Sequence, residues 1–312
     1  MAPRDARPRA FRTASAGHCE MTDASGAVPS PVRHSHPGVF ARGLAMGMAE
    51  AVPGVSGGTI AFVSGIYDEL VGSIAAFSHA SASTLLRDGW AAFARGHNLG
   101  FLGVLGAGMA IGLPLTLWLV VGLLESHAVY VTGFFFGLIA ASVVHVGLQS
   151  SWRGLLTLGL VGVLGGVLIG FLETGSVGEQ SSVIFIAGAL AATAWILPGL
   201  SGAFVLVILG LYEPMAGALL AADLPVLATF AAGLVIGVVF FSKLLAWLLG
   251  RARSAVLALL TGLMAGSLVQ LWPWRETDFS DTVVAAVVAA MVAGALVVGG
   301  LGIVSARRRG DA

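Results

Sequence analysis

Two stretches of this sequence share an unusual pattern: VPGVSGG at residues 52–58 and LPGLSGA at residues 197–203. Both contain Pro-Gly-x-Ser-Gly, and the second lies 145 residues after the first. The same offset aligns GIYD at 65–68 with GLYE at 210–213. A register that is kept through two successive motifs indicates an internal duplication of the chain.

Matching resumes further along the chain at an offset of 125, where GLIAAS at 137–142 aligns with GLMAGS at 262–267. The difference between the two offsets corresponds to an insertion in the first half, at residues 78–97. Each half therefore contains one segment around Pro-Gly-x-Ser-Gly, followed by a longer apolar region.

The composition assigns the whole chain to the membrane bilayer. Of its 312 residues, 57% are hydrophobic and 10% charged, and the mean hydropathy is +0.94. A soluble domain has roughly a quarter of its residues charged. The net charge of zero argues against a nucleic-acid partner, which requires a basic face. With a single cysteine and no cofactor motif, we expect no metal site, no cofactor and no chemical catalysis.

The apolar segments define the elements. Residues 1–37 are rich in proline and arginine and contain no apolar run, which predicts a disordered cytoplasmic tail. A helix needs about 20 apolar residues to cross the hydrocarbon layer, and six segments qualify: 98–124, 128–148, 154–172, 225–249, 254–272 and 282–305. Two further stretches, 39–76 and 183–222, are too long for one crossing and are broken by Pro-Gly. We expect both to be re-entrant helical hairpins.

The predicted fold is an all-α polytopic membrane protein with an inverted-topology repeat. Repeat 1 covers 38–175 and repeat 2 covers 182–306, and each consists of one re-entrant hairpin and three transmembrane helices. A hairpin returns to its own side of the membrane, whereas three helices cross it. The second repeat therefore enters the membrane upside down relative to the first.

The distribution of positive charge favours this topology. With both termini in the cytoplasm, 14 of the 16 basic residues lie on the inner side, as the positive-inside rule requires. They are Arg4, Arg7, Arg9, Arg12, Arg33, Arg42, Arg87, Arg95, Arg153, Arg251, Arg253, Arg307, Arg308 and Arg309. If each broken stretch crossed the membrane once, Arg87, Arg95 and Arg153 would lie outside.

The hairpin tips are the candidate binding site. Pro53-Gly54 and Pro198-Gly199 should end one half-helix and reverse the chain, and a serine after each break can cap the next half-helix. An anion at mid-membrane depth would satisfy the backbone N–H groups exposed there. The predicted substrate-binding residues at the two tips are Ser56, Gly57, Gly58, Thr59, Ser201 and Gly202.

Glu50 and Lys243 lie deep within the apolar stretches, where charge is costly and usually functional. Glu50 precedes Pro53 by three residues, and we expect it to carry a coupling proton or to pair with Arg42 or Lys243. Lys243 lies in the middle of a predicted span, and we expect it to act as counter-charge to an anionic substrate or to pair with Glu50.

At these residues the chain resembles a known family. AEAVPGVSGGTIA at 49–61, LPGLSG at 197–202 and FSKLL at 241–245 look like the signatures of the polyprenyl-phosphate translocases of the PopT type. Ala203 departs from the family, in which a serine commonly follows the second Ser-Gly. The resemblance covers residues 39–305.

The resemblance implies a transporter that returns undecaprenyl phosphate from the outer to the inner leaflet of the bacterial plasma membrane. The lipid carrier is thereby recycled for cell-wall synthesis. With no ATP-binding motif in the sequence, transport is expected to run on an ion gradient, with a proton as the coupling ion. Two alternatives are an ion-coupled transporter of a small soluble anion and, from GVSGG at 54–58, an intramembrane serine protease with Ser56 as nucleophile.

Overall fold

Long runs of helix-compatible apolar residues make every regular element of the described chain a helix. A computed structural model describes residues 35–50, 56–78, 80–172, 175, 177–178, 180–274 and 281–310, with the backbone alone at 117–126 and 301–310. In the first half, the helices are α1 (His36–Glu50), α2 (Gly57–Val63), α3 (Tyr67–Ala75), α4 (Ala80–Gly96), α5 (Leu99–Gly147), α6 (Trp152–Gly154) and α7 (Leu160–Gly170). A π-helical turn, Leu155–Gly159, joins α6 to α7. The predicted tail lies largely outside the described residues.

The second half repeats these bounds. Its helices are α8 (Ser181–Ile196), α9 (Gly202–Ile208), α10 (Tyr212–Leu220), α11 (Leu224–Ser267) and α12 (Asp281–Gly310). The first residues of α8, α9 and α10 lie 145 residues after those of α1, α2 and α3, and α11 begins 125 residues after α5. The internal repeat read from the sequence is therefore also present in the helix bounds.

Each broken stretch contains three helices rather than the two of a simple hairpin. After the Pro-Gly break, a short return helix of seven residues, α2 or α9, folds back against the first half-helix. A second bend follows at Gly65 in one half and at Gly210 in the other, both with positive φ. The bend between α9 and α10 measures 110°. The return arms are therefore much shorter than α1 and α8.

Kinks divide the two longest helices at equivalent places. At about 1.5 Å per residue, the 44 residues of α11 would extend to roughly twice the hydrocarbon thickness. The helix breaks at Ala252 (φ −145°, ψ 48°), and α5 breaks 125 residues earlier, at His127 (φ −141°, ψ 33°). Both kinks lie at the predicted boundaries between spans. With Trp152–Gly170 and Asp281–Gly300 also long and apolar enough to cross a membrane, the described chain is a polytopic membrane protein.

Glycines bring helix pairs into backbone contact, as small residues do in membrane proteins. In the first half, a Cβ on Gly108 or Gly112 of α5 would collide with the backbone of α1 at Phe40 or Leu44. The equivalent pairs recur in the second half, where Gly233 faces Phe185 O and Gly237 faces Ala189 O. In both pairs residue numbers rise together along the two helices. Each first half-helix therefore runs parallel to the span that follows its hairpin.

The third spans repeat in the same manner. Gly137 of α5 packs against Met291 O of α12, and Gly262 of α11 packs against Gly159 O of the π-helical turn. Gly137 and Gly262 are related by the offset of 125, and their contacts Gly159 and Met291 are related by an offset of 132. The repeat thus extends through all three predicted spans of each half.

Contacts on one side of the molecule link segments that are far apart in sequence. Arg253, next to the kink in α11, donates two hydrogen bonds to Asp68 of α3, at 2.8 and 3.1 Å. This hydrogen bonding raises the pKa of the Arg253 guanidinium above its usual range. Ser151 N donates to Ser254 Oγ nearby, at 2.9 Å. The start of α3 and the loops at 151 and 253 therefore lie at one level.

The insertion in the first half is a separate helix. α4 has no buried residue and breaks at Gly89. Its end is fixed by His97, whose ring nitrogens lie 2.7 Å from Ser81 Oγ and 2.8 Å from Phe93 O. Leu86 and Trp90 are exposed. Because α4 has no counterpart in the second half, the two repeats differ at this place.

The inverted orientation of the two repeats is a prediction that cysteine labelling can test. In a Cys19→Ser background, we expect a membrane-impermeant maleimide to label Asp223→Cys from outside intact cells. Asp88→Cys and Gln149→Cys, both at exposed positions, should react only after the membrane is permeabilised. If each broken stretch crossed the membrane once, residues 88 and 149 would react from outside, and the inverted topology would be wrong.

Candidate functional site

The tips of the two hairpins meet in the interior of the protein. Ser56, fully buried, is the N-cap of α2, and its Oγ accepts a hydrogen bond from Gly58 N at 3.1 Å. The same hydroxyl lies 3.3 Å from the carbonyl oxygens of Trp195 and Leu197 in the second hairpin, and it donates its proton to one of them. The predicted serine cap is confirmed, and it also joins the repeats.

Two more hydrogen bonds cross between the hairpins. Gly199 N donates to Thr59 Oγ1 at 3.0 Å, and Tyr67 Oη donates to Ile196 O at 3.1 Å. Thr59 and Tyr67 are both buried. Backbone groups that the Pro-Gly break leaves without helical partners are thus satisfied by side chains of the opposite repeat. The tips depend on each other for this pairing.

The N–H groups of the first tip, predicted to be free for an anion, already have partners. Gly57 N donates to Glu50 Oε1 at 2.7 Å, Gly58 N donates to Ser56 Oγ, and Thr59 N donates to Ser56 O at 3.0 Å. The side chain of Trp195 also hydrogen-bonds to Glu50. A carboxylate of the protein itself therefore occupies the position at which we expected an anion.

The second tip has the predicted chain reversal but not the predicted cap. Pro198 follows the end of α8, and Gly199 has a φ of +87°, which glycine adopts without strain. Ser201 is the N-cap residue of α9, but its side chain makes no capping hydrogen bond. The equivalent break at Pro53 and Gly54 lies outside the described residues.

Packing accounts for the glycines at the tips. A Cβ on Gly57 would lie 2.8 Å from Glu50 Oε1, and one on Gly58 would lie 2.7 Å from Ile196 O. A Cβ on Gly202 would lie 2.7 Å from Ala191 O in α8. We expected these glycines to let an anion approach the backbone. In this conformation they let the return arms approach their own half-helices and, at Gly58, the opposite hairpin.

Lys243 is not brought to the tips in this conformation. Its side chain is exposed, whereas its neighbour Ser242 is fully buried. Within the described part of the chain, no contact joins Lys243 to Glu50 or to either tip. Arg42, the other suggested partner of Glu50, instead donates hydrogen bonds to Gly38 O and Ser64 O, both at 3.2 Å. Glu50 is held by hydrogen bonds rather than by an observed ion pair.

Sequence reasoning missed Trp195 and the role of Tyr67. Trp195 lies 145 residues after Glu50 and so occupies the equivalent place in the second repeat. The repeat alignment contained this signal, because it pairs a polar-tipped aromatic residue with an acid. Tyr67 was noted only as part of the repeated GIYD segment, but its side chain is only 3% exposed.

These features define a class: an all-α membrane protein whose interior contains two broken helices that meet tip to tip, the architecture of many secondary transporters. The family model described as VCA0040-like, undecaprenyl phosphate translocase-like, matches residues 46–297. The chain belongs to this family.

Curated relatives agree with the family match. A polyprenyl-phosphate transporter of Vibrio cholerae is 40% identical over 242 residues, which cover 76% of this chain and 78% of the relative. A polyprenyl-phosphate transporter of Staphylococcus aureus is 30% identical over 257 residues, covering 76% and 86%. No solved structure matches this chain.

Proposed function

We propose that this protein transports undecaprenyl phosphate across the bacterial plasma membrane, from the outer to the inner leaflet, and so recycles the carrier lipid for cell-wall synthesis. Family membership and the names of both relatives support the substrate class. The observation that carries the mechanism is the meeting of two hairpin tips, one from each repeat, through buried polar groups. A lipid phosphate needs such groups for its head, while its tail stays in the bilayer.

Alternating access follows from an inverted repeat, and several contacts support that arrangement. α1 runs parallel to the span that follows its hairpin, and α8 does the same. Both half-helices therefore enter from the side on which the next span begins, so the intervening chain returns to that side. Three crossings then separate the first hairpin from the second. When the repeats rock against each other, the site between the two tips opens first to one leaflet and then to the other.

The proposed head-group site lies at the tips, with Ser56, Gly57, Gly58 and Thr59 on one side and Ser201 and Gly202 on the other. In this conformation Gly57 N is held by Glu50. The incoming phosphate replaces the Glu50 carboxylate at this donor. Lys243 approaches the head group when the helices part and supplies its counter-charge.

This exchange couples transport to a proton. Two anions do not share one N–H donor, so the phosphate binds when Glu50 is protonated or displaced. A proton taken up by Glu50 on the outer side accompanies the lipid inward and is released on the cytoplasmic side. The proton gradient then drives the cycle.

Native mass spectrometry tests the substrate and Lys243 together. We expect undecaprenyl phosphate to co-purify with the wild-type protein and to be reduced about tenfold in Lys243→Ala, because a charge-assisted contact contributes roughly 1.5–3 kcal/mol. Lys243→Arg keeps the charge and should retain the lipid. Wild-type protein that binds no polyprenyl phosphate when the lipid is added back would contradict the proposed function. Equal retention in Lys243→Ala would exclude Lys243 from the site.

The two alternatives make different predictions. A transporter of a soluble anion needs no lateral opening to lipid, and it would bind inorganic phosphate in preference to the lipid. A serine protease needs a base beside Ser56, whereas the described contacts of that hydroxyl are all with backbone groups. Covalent labelling of Ser56 by a fluorophosphonate would favour the protease.

A further inference from the structure

Among the described residues, two buried hydroxyl groups in the spans lack a hydrogen-bond partner, as does Ser150 in a loop between spans. Thr116 of α5 is 1% exposed and Ser242 of α11 is 0% exposed, and neither hydroxyl has a hydrogen-bond partner among the described residues. A helical serine or threonine can always reach a carbonyl of its own preceding turn. The comparable buried hydroxyls do so: Ser142 donates to Leu138 O, Thr261 to Leu257 O and Ser267 to Met264 O, at 2.7–2.8 Å.

Helix register places Thr116 at the level of the first hairpin tip. Gly112 of α5 packs against the backbone of Leu44 and Met48 in α1. Thr116 lies one turn beyond Gly112 on the same face. Since α1 runs parallel to this part of α5 and ends at Glu50, one turn beyond this contact is the level of the last residues of α1, Met48 to Glu50.

Ser242 occupies the corresponding level in the other repeat. Gly237 of α11 packs against Ala189 of α8, and Ser242 lies just over one turn beyond it. Leu245, one turn further on, belongs to the same core cluster as Trp195 and Leu197 of the second tip. With the offset of 125, Thr116 aligns with the residue immediately before Ser242. The duplication therefore brings one hydroxyl from each half to a similar level, on helix faces that differ by about 100°.

We propose that the hydroxyls of Thr116 and Ser242 donate hydrogen bonds to the phosphate of the bound lipid, one from each repeat. This assignment rests on the proposed function. An unpaired hydroxyl is unfavourable in an apolar interior, so a ligand that pairs it gains more than it would from a hydroxyl already bonded to its own helix. Hydroxyl donors form short, strong bonds to anionic oxygens. In the FSKLL segment, the buried ligand is thus Ser242, and the exposed Lys243 beside it provides charge.

The test compares hydroxyls that lack a hydrogen-bond partner in the protein with buried hydroxyls that have one. Purified Thr116→Val and Ser242→Ala proteins are titrated with undecaprenyl phosphate in detergent, and Kd and unfolding temperature are measured. We expect each variant to bind about tenfold more weakly, while its unfolding temperature without lipid stays equal to or above that of the wild type. The controls, Thr261→Val and Ser267→Ala, lose a hydrogen bond within the protein. They should unfold at lower temperature and bind with unchanged Kd.

Further titrations show which part of the lipid the two hydroxyls bind. Undecaprenol, which lacks the phosphate, should bind the wild type weakly and should not distinguish it from the variants. Inorganic phosphate should bind far more weakly than the lipid phosphate. Ser242→Cys keeps the side-chain volume but donates poorly, so it should reproduce the Ser242→Ala loss if the alanine variant folds badly.

Several results would overturn the assignment. Binding within twofold of wild type in both Thr116→Val and Ser242→Ala would do so, as would equal weakening of undecaprenol binding. A fall in the lipid-free unfolding temperature as large as in the controls would show that these hydroxyls have partners within the protein. Wild-type protein that does not bind undecaprenyl phosphate contradicts the proposed function itself, whereas wild-type binding with unaffected variants contradicts the hydroxyl assignment alone.

Discussion

Gly58→Leu is expected to abolish transport and to destabilise the protein. A Cβ at this position would lie 2.7 Å from Ile196 O and 2.9 Å from Trp195 O, and both are backbone atoms that cannot rotate away. The side chain must therefore push the two hairpins apart. Overpacking of this kind costs about 3 kcal/mol, and separating the tips also breaks the bonds of Ser56 and Thr59 to the opposite repeat.

Gly72→Leu is the matched control. Gly72 lies on α3, within the same broken stretch, and a Cβ there would meet nothing within 4 Å. We expect Gly72→Leu to keep the wild-type unfolding temperature in detergent and to clear outer-leaflet undecaprenyl phosphate at the normal rate in cells. Gly58→Leu should slow clearance by about 100-fold. Normal clearance by a stably folded Gly58→Leu protein would show that the tips need not meet during transport.

Most of the fold could be predicted from the sequence, because helix bounds depend on local signals. Apolar runs predicted the spans, and the 145 and 125 offsets predicted where equivalent helices begin. The kinks at His127 and Ala252 lie between predicted spans, as expected. The third helix of each broken stretch, α3 or α10, was missed. Its start at Tyr67 or Tyr212 directly follows the bend at 65–66 or 210–211, which lies inside the predicted hairpin.

The site could be predicted only in part, because its contacts join residues far apart in sequence. The Gly199 N to Thr59 Oγ1 bond spans 140 residues and the Tyr67 Oη to Ile196 O bond spans 129, so no local pattern indicates either one. The sequence identified Ser56 as a cap but not its bond across to the second hairpin. It identified Lys243 from its charge, whereas only the structure shows that the neighbouring Ser242 is buried.

The two tips differ chemically although the helices that follow them, α2 and α9, begin at equivalent residues. Position 50 of the first repeat is an acid, and the equivalent position 195 is a tryptophan. Glu50 and Trp195 contact each other, so one repeat supplies an anion and the other a donor for it. A symmetric pair of acids would repel, and a symmetric pair of tryptophans would have no titratable group. The difference at this position therefore leaves one titratable group between the two tips.

Glu50→Gln should separate substrate binding from transport. The amide oxygen of glutamine can still accept from Gly57 N, but a neutral acceptor holds that donor less tightly than a carboxylate does. Undecaprenyl phosphate should therefore bind about tenfold more tightly to the variant. Transport against a lipid gradient should fall at least about tenfold, because glutamine does not take up and release a proton.

The affinity for undecaprenyl phosphate should change with pH in opposite directions in the wild type and in Glu50→Gln. In the wild type, raising the pH ionises Glu50, and the carboxylate then competes better for Gly57 N, so lipid binding should weaken. In Glu50→Gln, the remaining titration is that of the phosphate, whose second pKa lies near 6, so binding should strengthen as the pH rises. Kd measured across pH by native mass spectrometry, together with proton-driven uptake into proteoliposomes, checks both expectations.

Glu69→Gln is the matched control, because Glu69 is an acid of the same broken stretch that accepts a hydrogen bond from Asn98 Nδ2 at 2.9 Å. It lies on α3, away from the tip, and its loss should leave both the pH profile and the transport rate as in the wild type. If Glu50→Gln kept the wild-type pH profile and rate, the coupling proton would not be carried by Glu50. If Glu69→Gln changed them instead, the coupling group would lie at the end of the hairpin rather than at its tip.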